Sequence, residues 1–149
     1  MIAKKIGFIT KEARERGERV GFMIVSHDGE SGWLAHVNFN SPHQVSKYFV
    51  DLKFLESILP KLMQFKKDEL LYIDEIGQME MFSDNFKKLV TSYLDSDNIF
   101  VGIISKVFQD PFIDKIKKRD DIKLFEITPE NRKAKYLEIN KLLSSLLHG

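Results

Sequence analysis

Two adjacent carboxylates, Asp74 and Glu75, follow directly on the apolar run Leu70-Leu71-Tyr72-Ile73. A short run without alternation suits a strand buried on both faces of a parallel sheet. Its carboxyl end is where open α/β sheets place their ligand crevice. An Asp there can hold Mg²⁺ beside a phosphate, often through water, and an acidic neighbour can orient an attacking water. The plainer alternative is a strand ending in a polar turn that Gly77 finishes. Three further groups have the right residue types for anion chemistry. Glu12, Arg14 and Arg19 lie in the charged stretch KEARERGER, where guanidinium forks could meet phosphate oxygens, or where a loop is simply solvated. Lys115, Lys117, Lys118 and Arg119 close a short helix, and cations at a helix C-terminus explain themselves. Asn131 and Arg132 fall in the first turn of the last helix, where an Arg opposes the helix dipole; contact with an anion or a base is one reason for it, and simple exposure is another. His27, His36, His43 and His148 have no spacing that suits a metal, and there is no Gly-x-Ser-x-Gly.

The elements that must position these residues alternate along the chain. Ile6–Thr10 predicts a strand, and the charged stretch from Lys11 to Arg19 a loop or hairpin turn. Val20–Ser26 and Gly32–Val37 predict an antiparallel pair about the Asp28-Gly29 turn, with room to be an appendage on a larger sheet. A polar loop, Asn38–Gln44, leads to a short strand in Ser46–Val50. Asp51–Phe65 has helical spacing with Asp51 as cap, and Pro60 kinks or breaks it. After Glu75, Ser83 caps a helix with Phe86, Leu89, Val90, Tyr93 and Leu94 on one face. Asn98–Ser105 predicts a second fully buried strand, Asp110-Pro111 the start of a short helix, and Ile122–Ile127 a last strand. Thr128-Pro129-Glu130 opens a final helix with a broad apolar face through Tyr136, Leu142 and Leu146. Buried strands separated by helices from residue 69 onward imply parallel pairing in a layered α/β fold. Nothing in composition marks a boundary, so residues 1–149 are expected as a single domain.

The totals exclude several classes. With 149 residues the chain can build one sizeable core, and 30% charged residues is an ordinary balance. A net charge of +1 gives no field for nucleic acid or an anionic membrane, and no apolar run is long enough to cross a bilayer. Twelve Phe against one Trp suggests core packing rather than a base-stacking platform. The absence of cysteine excludes disulfides and thiolate metal sites and fits a reducing cytoplasm.

One motif is not in these 149 residues: Gly-x-x-x-x-Gly-Lys-[Ser/Thr], whose amides and Lys cradle the β- and γ-phosphates. The stretches GFITKEARERGERVGFMIV, WLA, VSKYFVDL, YIDEIGQMEMFS and ITPENR nevertheless occur in the order found in one family. The chain resembles the small P-loop nucleoside-triphosphatases of thermophiles and their human cancer-related relative. The resemblance implies a RecA-like P-loop α/β fold, a layered parallel sheet with an added β-hairpin. It also implies Mg²⁺-dependent hydrolysis of ATP, GTP and other nucleoside triphosphates to the diphosphate and phosphate. On it, Asp74 is the Mg²⁺-side carboxylate and Glu75 activates water. Glu12 and Arg14 match an acidic-basic pair, and Arg119, Asn131 and Arg132 match positions on the nucleotide side. In that family a strand, the P-loop and a helix precede GFIT, so about 20–30 residues of a βαβ unit are expected to be lacking here. Hydrolysis would then be impaired, and a non-catalytic module that binds a nucleotide or protein is the alternative. An unpaired sheet edge is also expected, which the remaining strands could close or a second copy could fill.

Overall fold

The computed structural model describes residues 4–148, in two compact units, one up to Gln109 and one from Asp110. The first unit is built on β1 (Lys5–Glu15), β2 (Glu18–Ser26), β3 (Ser31–His36), β4 (His43–Val45), β5 (Tyr48–Val50), β6 (Leu70–Ile76) and β7 (Phe100–Ile104). They form one sheet in the order β4-β5-β3-β2-β1-β6-β7. The pairs β1–β6 and β6–β7 are parallel and the other four are antiparallel. Two expectations are corrected here. The hairpin is no appendage, because β2 continues the main sheet through β1. The sheet is therefore mixed rather than parallel throughout. The charged stretch is also mostly strand. β1 runs on to Glu15, and Arg16-Gly17, both at positive φ (52° and 81°), makes the two-residue turn into β2. Positive φ at both central positions gives the twist that matches the flanking strands.

β1 and β6 pair directly from Lys5 opposite Leu70 to Ile9 opposite Asp74, so no unpaired row lies between them. Gly7 permits that contact, since a Cβ there would stand 1.8 Å from the Tyr72 carbonyl oxygen. The core gathers Ile6, Phe8, Ile24 and Leu34 from the sheet with residues of α1 (Lys53–Leu62) and α2 (Asp84–Asp95). Leu55, Ile58, Leu59 and Leu62 on α1, and Phe86, Leu89, Val90 and Tyr93 on α2, are the predicted apolar faces, all buried. α1 passes through Pro60, which costs one N–H in its last turns without ending it. Asp51 accepts from the Lys53 N–H at 2.9 Å, but Leu52 stands at the cap position. The two helices are tied by the Tyr93 hydroxyl, which donates to the Leu62 carbonyl at 2.7 Å, and by the Ser83 hydroxyl, which donates to Glu56 at 2.7 Å. β7, expected to be buried on both faces, is the last strand in the order and half-exposed, with Ile103 at 48%.

The second unit holds α3 (Pro111–Lys117) and α4 (Arg132–His148). Asp110 caps α3 by accepting from the Phe112 N–H at 2.8 Å, as its sequence predicts. Ile122–Ile127 is not a strand. Its residue types favour a ladder, but among the described residues no strand pairs with it, and Leu124 and Ile127 are more than half exposed. α4 forms, yet none of its residues is fully buried: Ile139, Leu142 and Leu143 are half-buried, while Tyr136, Leu137, Leu146 and Leu147 are exposed.

Candidate functional site

Leu71, Ile73 and Ile76 are buried to 1% or less, which locks β6 into the sheet. The strand does not stop at the carboxylates, as the apolar run suggested. It carries Asp74 and Glu75 on to Ile76, and the ladder to β7 shifts register between Asp74 and Ile76. The peptide bond between the two carboxylates is cis. Glu75 is exposed and lines an open cavity of about 230 Å³, with Thr10, Gln78, Glu80 and Ser105 among its polar neighbours and Phe22, Leu34 and Phe108 among its apolar ones. The Thr10 hydroxyl oxygen is buried in that wall without a hydrogen-bond partner. Burial pushes the Asp74 carboxyl above the usual carboxylate range. Glu75 moves the same way, first through loss of water on its cavity side and then through the neighbouring Asp74.

A third carboxyl joins them. Glu80, 3% exposed, accepts from the Gly77 N–H at 2.9 Å through Oε2. Burial pushes it up to about 7, opposed by backbone N–H groups of its own residue and Gly77, and reinforced by Glu75 and Asp74. Sequence reasoning missed it, because a single Glu between two methionines carries no sign of its depth. The one local signal is a Gly three residues before a Glu, directly after a buried strand.

Of the other candidates, Glu12, Arg14 and Arg19 lie in the first unit, and Arg119, Asn131 and Arg132 in the second. Glu12 and Arg14 lie on β1 beyond Ile9, the residue opposite Asp74, and three strand residues span about 10 Å. Glu12 accepts from Arg14 at 3.0 Å and from Arg19 at 2.8 Å, and Arg14 also donates to the Gly17 carbonyl at 3.1 Å. Arg19, then Arg14, holds the Glu12 carboxyl below its ordinary value. Arg19 Nε donates to the Tyr48 hydroxyl at 2.9 Å. Within the second unit, Arg119 forms a fork with Asp121 at 2.8 and 2.7 Å, which lowers the Asp121 carboxyl. The Asn131 amide is used locally: its Oδ1 accepts from the Thr128 N–H at 2.8 Å and its Nδ2 donates to the Glu126 carbonyl at 3.0 Å. Asn131 precedes the helix rather than lying in it, and Arg132, the first residue of α4, is exposed.

Among the described residues no three His, Cys, Asp or Glu side chains group to cage a metal. A single carboxylate such as Asp74 could hold Mg²⁺, which commonly takes one or two carboxylates and fills its remaining positions with water and substrate phosphate.

The NTPase family profile matches residues 3–140. The chain belongs to this family of nucleoside-triphosphatases. It is 43% identical to the nucleoside-triphosphatase THEP1 of Thermotoga sp. (strain RQ2) over 94% of this chain and 79% of that one. It is 35% identical to the human cancer-related nucleoside-triphosphatase over 85% of this chain and 74% of that one. The crystal structure of THEP1 from Aquifex aeolicus superposes with a TM-score of 0.83 at 32% identity, covering 94% of this chain and 84% of that one. As a member of the NTPase family, the chain has the α/β architecture of those relatives. Among the described residues no helix is long and apolar enough to cross a membrane.

Proposed function

We propose that this chain takes part in Mg²⁺-dependent hydrolysis of nucleoside triphosphates, ATP and GTP among them, to the diphosphate and phosphate. Glu75 in the lining of the cavity, next in β6 to Asp74, is the observation that carries the reading. Asp74 would hold the magnesium, whose chemistry is to neutralise charge on the phosphate oxygens. Glu75 orients the attacking water and accepts its proton as the water oxygen bonds to the γ-phosphorus. The bond from that phosphorus to the bridging oxygen breaks, and the diphosphate leaves with the electron pair. A base whose carboxyl is raised above the ordinary range is better matched to that proton transfer near neutral pH. The 149 residues do not contain Gly-x-x-x-x-Gly-Lys-[Ser/Thr].

The test is calorimetric binding and turnover of Mg-ATP and Mg-GTP by the chain and by Glu75→Gln. The reading expects the variant to lose roughly 100-fold or more in turnover with nucleotide affinity little changed. Equal turnover in the two proteins, or neither binding nor turnover by the unmodified chain, overturns it.

A further inference from the structure

We propose that Glu80 is a positioning residue for Glu75: its buried carboxylate holds the Gly77 amide and so fixes the backbone that leaves β6 directly after the register shift carrying Glu75. The proposal rests on the hydrolase reading given above. Burying a carboxyl is expensive unless its oxygens find partners. Glu80 finds backbone N–H groups rather than a cation, and a neutral acceptor would serve the fold as well at lower cost. A Cβ on Gly77 would stand 2.9 Å from Glu75 Oε1 and 3.1 Å from Glu80 Oε2. The two carboxyl ends thus flank one point on the turn, and glycine is what leaves room for both. Both side chains also line the same cavity. Glu75 falls in the register shift between the paired residues Asp74 and Ile76, and the Glu80 contact at Gly77 anchors the chain where that irregular end of β6 leaves the sheet. A displacement of the order of 1 Å at a catalytic base costs about 100-fold in rate, so a tether at this place has a functional effect.

The test compares Glu80→Met, which keeps length and packing but has no comparable acceptor, with Glu80→Gln, which keeps an acceptor oxygen. Three quantities are measured: kcat and KM for Mg-ATP, hydrogen exchange of the Gly77 amide, and the order parameter of the Glu75 side-chain methylene by NMR. Glu80→Met is expected to lower kcat by roughly 100-fold with KM within about twofold. It also speeds Gly77 exchange by at least roughly tenfold and lowers Glu75 order. Glu80→Gln restores Gly77 protection, Glu75 order and most of kcat. Unchanged Glu75 order and kcat in Glu80→Met overturn the proposal. So does a Gln variant as slow as the Met variant while Gly77 stays protected, since charge and not the tether would then matter. If the unmodified chain turns over no Mg-ATP, the hydrolase reading fails by itself. Gly77 exchange and Glu75 order still decide whether the tether exists.

Discussion

Glu80 makes the folded state pH-sensitive in a direction opposite to most carboxylates. Its carboxyl is pushed up to about 7 in the fold, against an ordinary value of 4.5. Between those values the folded chain binds the proton and the unfolded chain does not. The resulting stability is present in full below the unfolded value and is lost as pH rises through the folded one. The shift corresponds to an upper bound of roughly 3 kcal/mol. In metal-free buffer the urea stability of the unmodified chain is expected to fall from pH 5 to pH 8, and Glu80→Gln to fall less, so that the variant is the more stable at pH 8. Asp74 and Glu75, also raised, add slope of the same sign to both proteins, and the difference between the slopes belongs to Glu80. Equal slopes would show that Glu80 does not take up the proton. At this scale the strand that carries Asp74 and Glu75 was legible, because a short apolar run without alternation is a local pattern. Glu80 was not, because depth is a property of the assembled turn.

The elements were legible wherever periodicity and caps agreed. Ser83 is the clearest example, since it caps α2 by accepting from the Phe86 N–H at 3.0 Å, as its position before the apolar face predicts. The sequence did not disclose that the same hydroxyl donates to Glu56 on α1 while being only 1% exposed. Ser83→Ala therefore removes a cap and a tie between helices together. The expected loss is roughly 1–3 kcal/mol, a cap contributing about 1 and the unpaired buried groups the rest. It is read as a lower urea midpoint with unchanged denaturant dependence, and a midpoint equal to that of the unmodified chain would deny the cap any role. The illegible elements failed for one reason. β7 and the Ile122–Ile127 segment have strand-forming residues, but a strand's burial depends on which neighbours pair with it and cover it. Those partners are distant in sequence. The charged arm from Lys11 to Glu15 shows the converse. The stretch reads as a loop or hairpin turn, and the turn at Arg16-Gly17 carries Lys11 to Glu15 into the ladder with β2.

At the scale of the whole chain, the alternation of strands and helices correctly indicated α/β architecture and the parallel β6–β7 pair. It could not reveal that β1 joins β6 on one side and an antiparallel meander on the other. The two compact units also differ in what holds them. β6 has neighbours on both sides and four residues at or below 9% exposure, whereas α4 has 17 residues and none buried. Helices draw most of their stability from packing an apolar face, and one without such packing is marginal in water. Tyr136, Leu137 and Leu146 are each more than half exposed and Ile139, Leu142 and Leu143 are half-buried, so packing adds little to the hydrogen bonds of α4 itself. Opening it should therefore require a small fraction of the free energy needed to open β6, which tracks global unfolding at about 5–15 kcal/mol. Native-state hydrogen exchange is expected to show α4 amides protected at least roughly 1000-fold less than those of Leu71 and Ile73, each about 1.4 kcal/mol of local stability being a factor of ten. Urea at low concentration should leave α4 exchange nearly unchanged while accelerating β6, because opening an unburied helix exposes little new surface. Protection in α4 equal to that in β6, with the same urea dependence, would mean that the two units unfold together and that the apolar face of α4 is covered in solution.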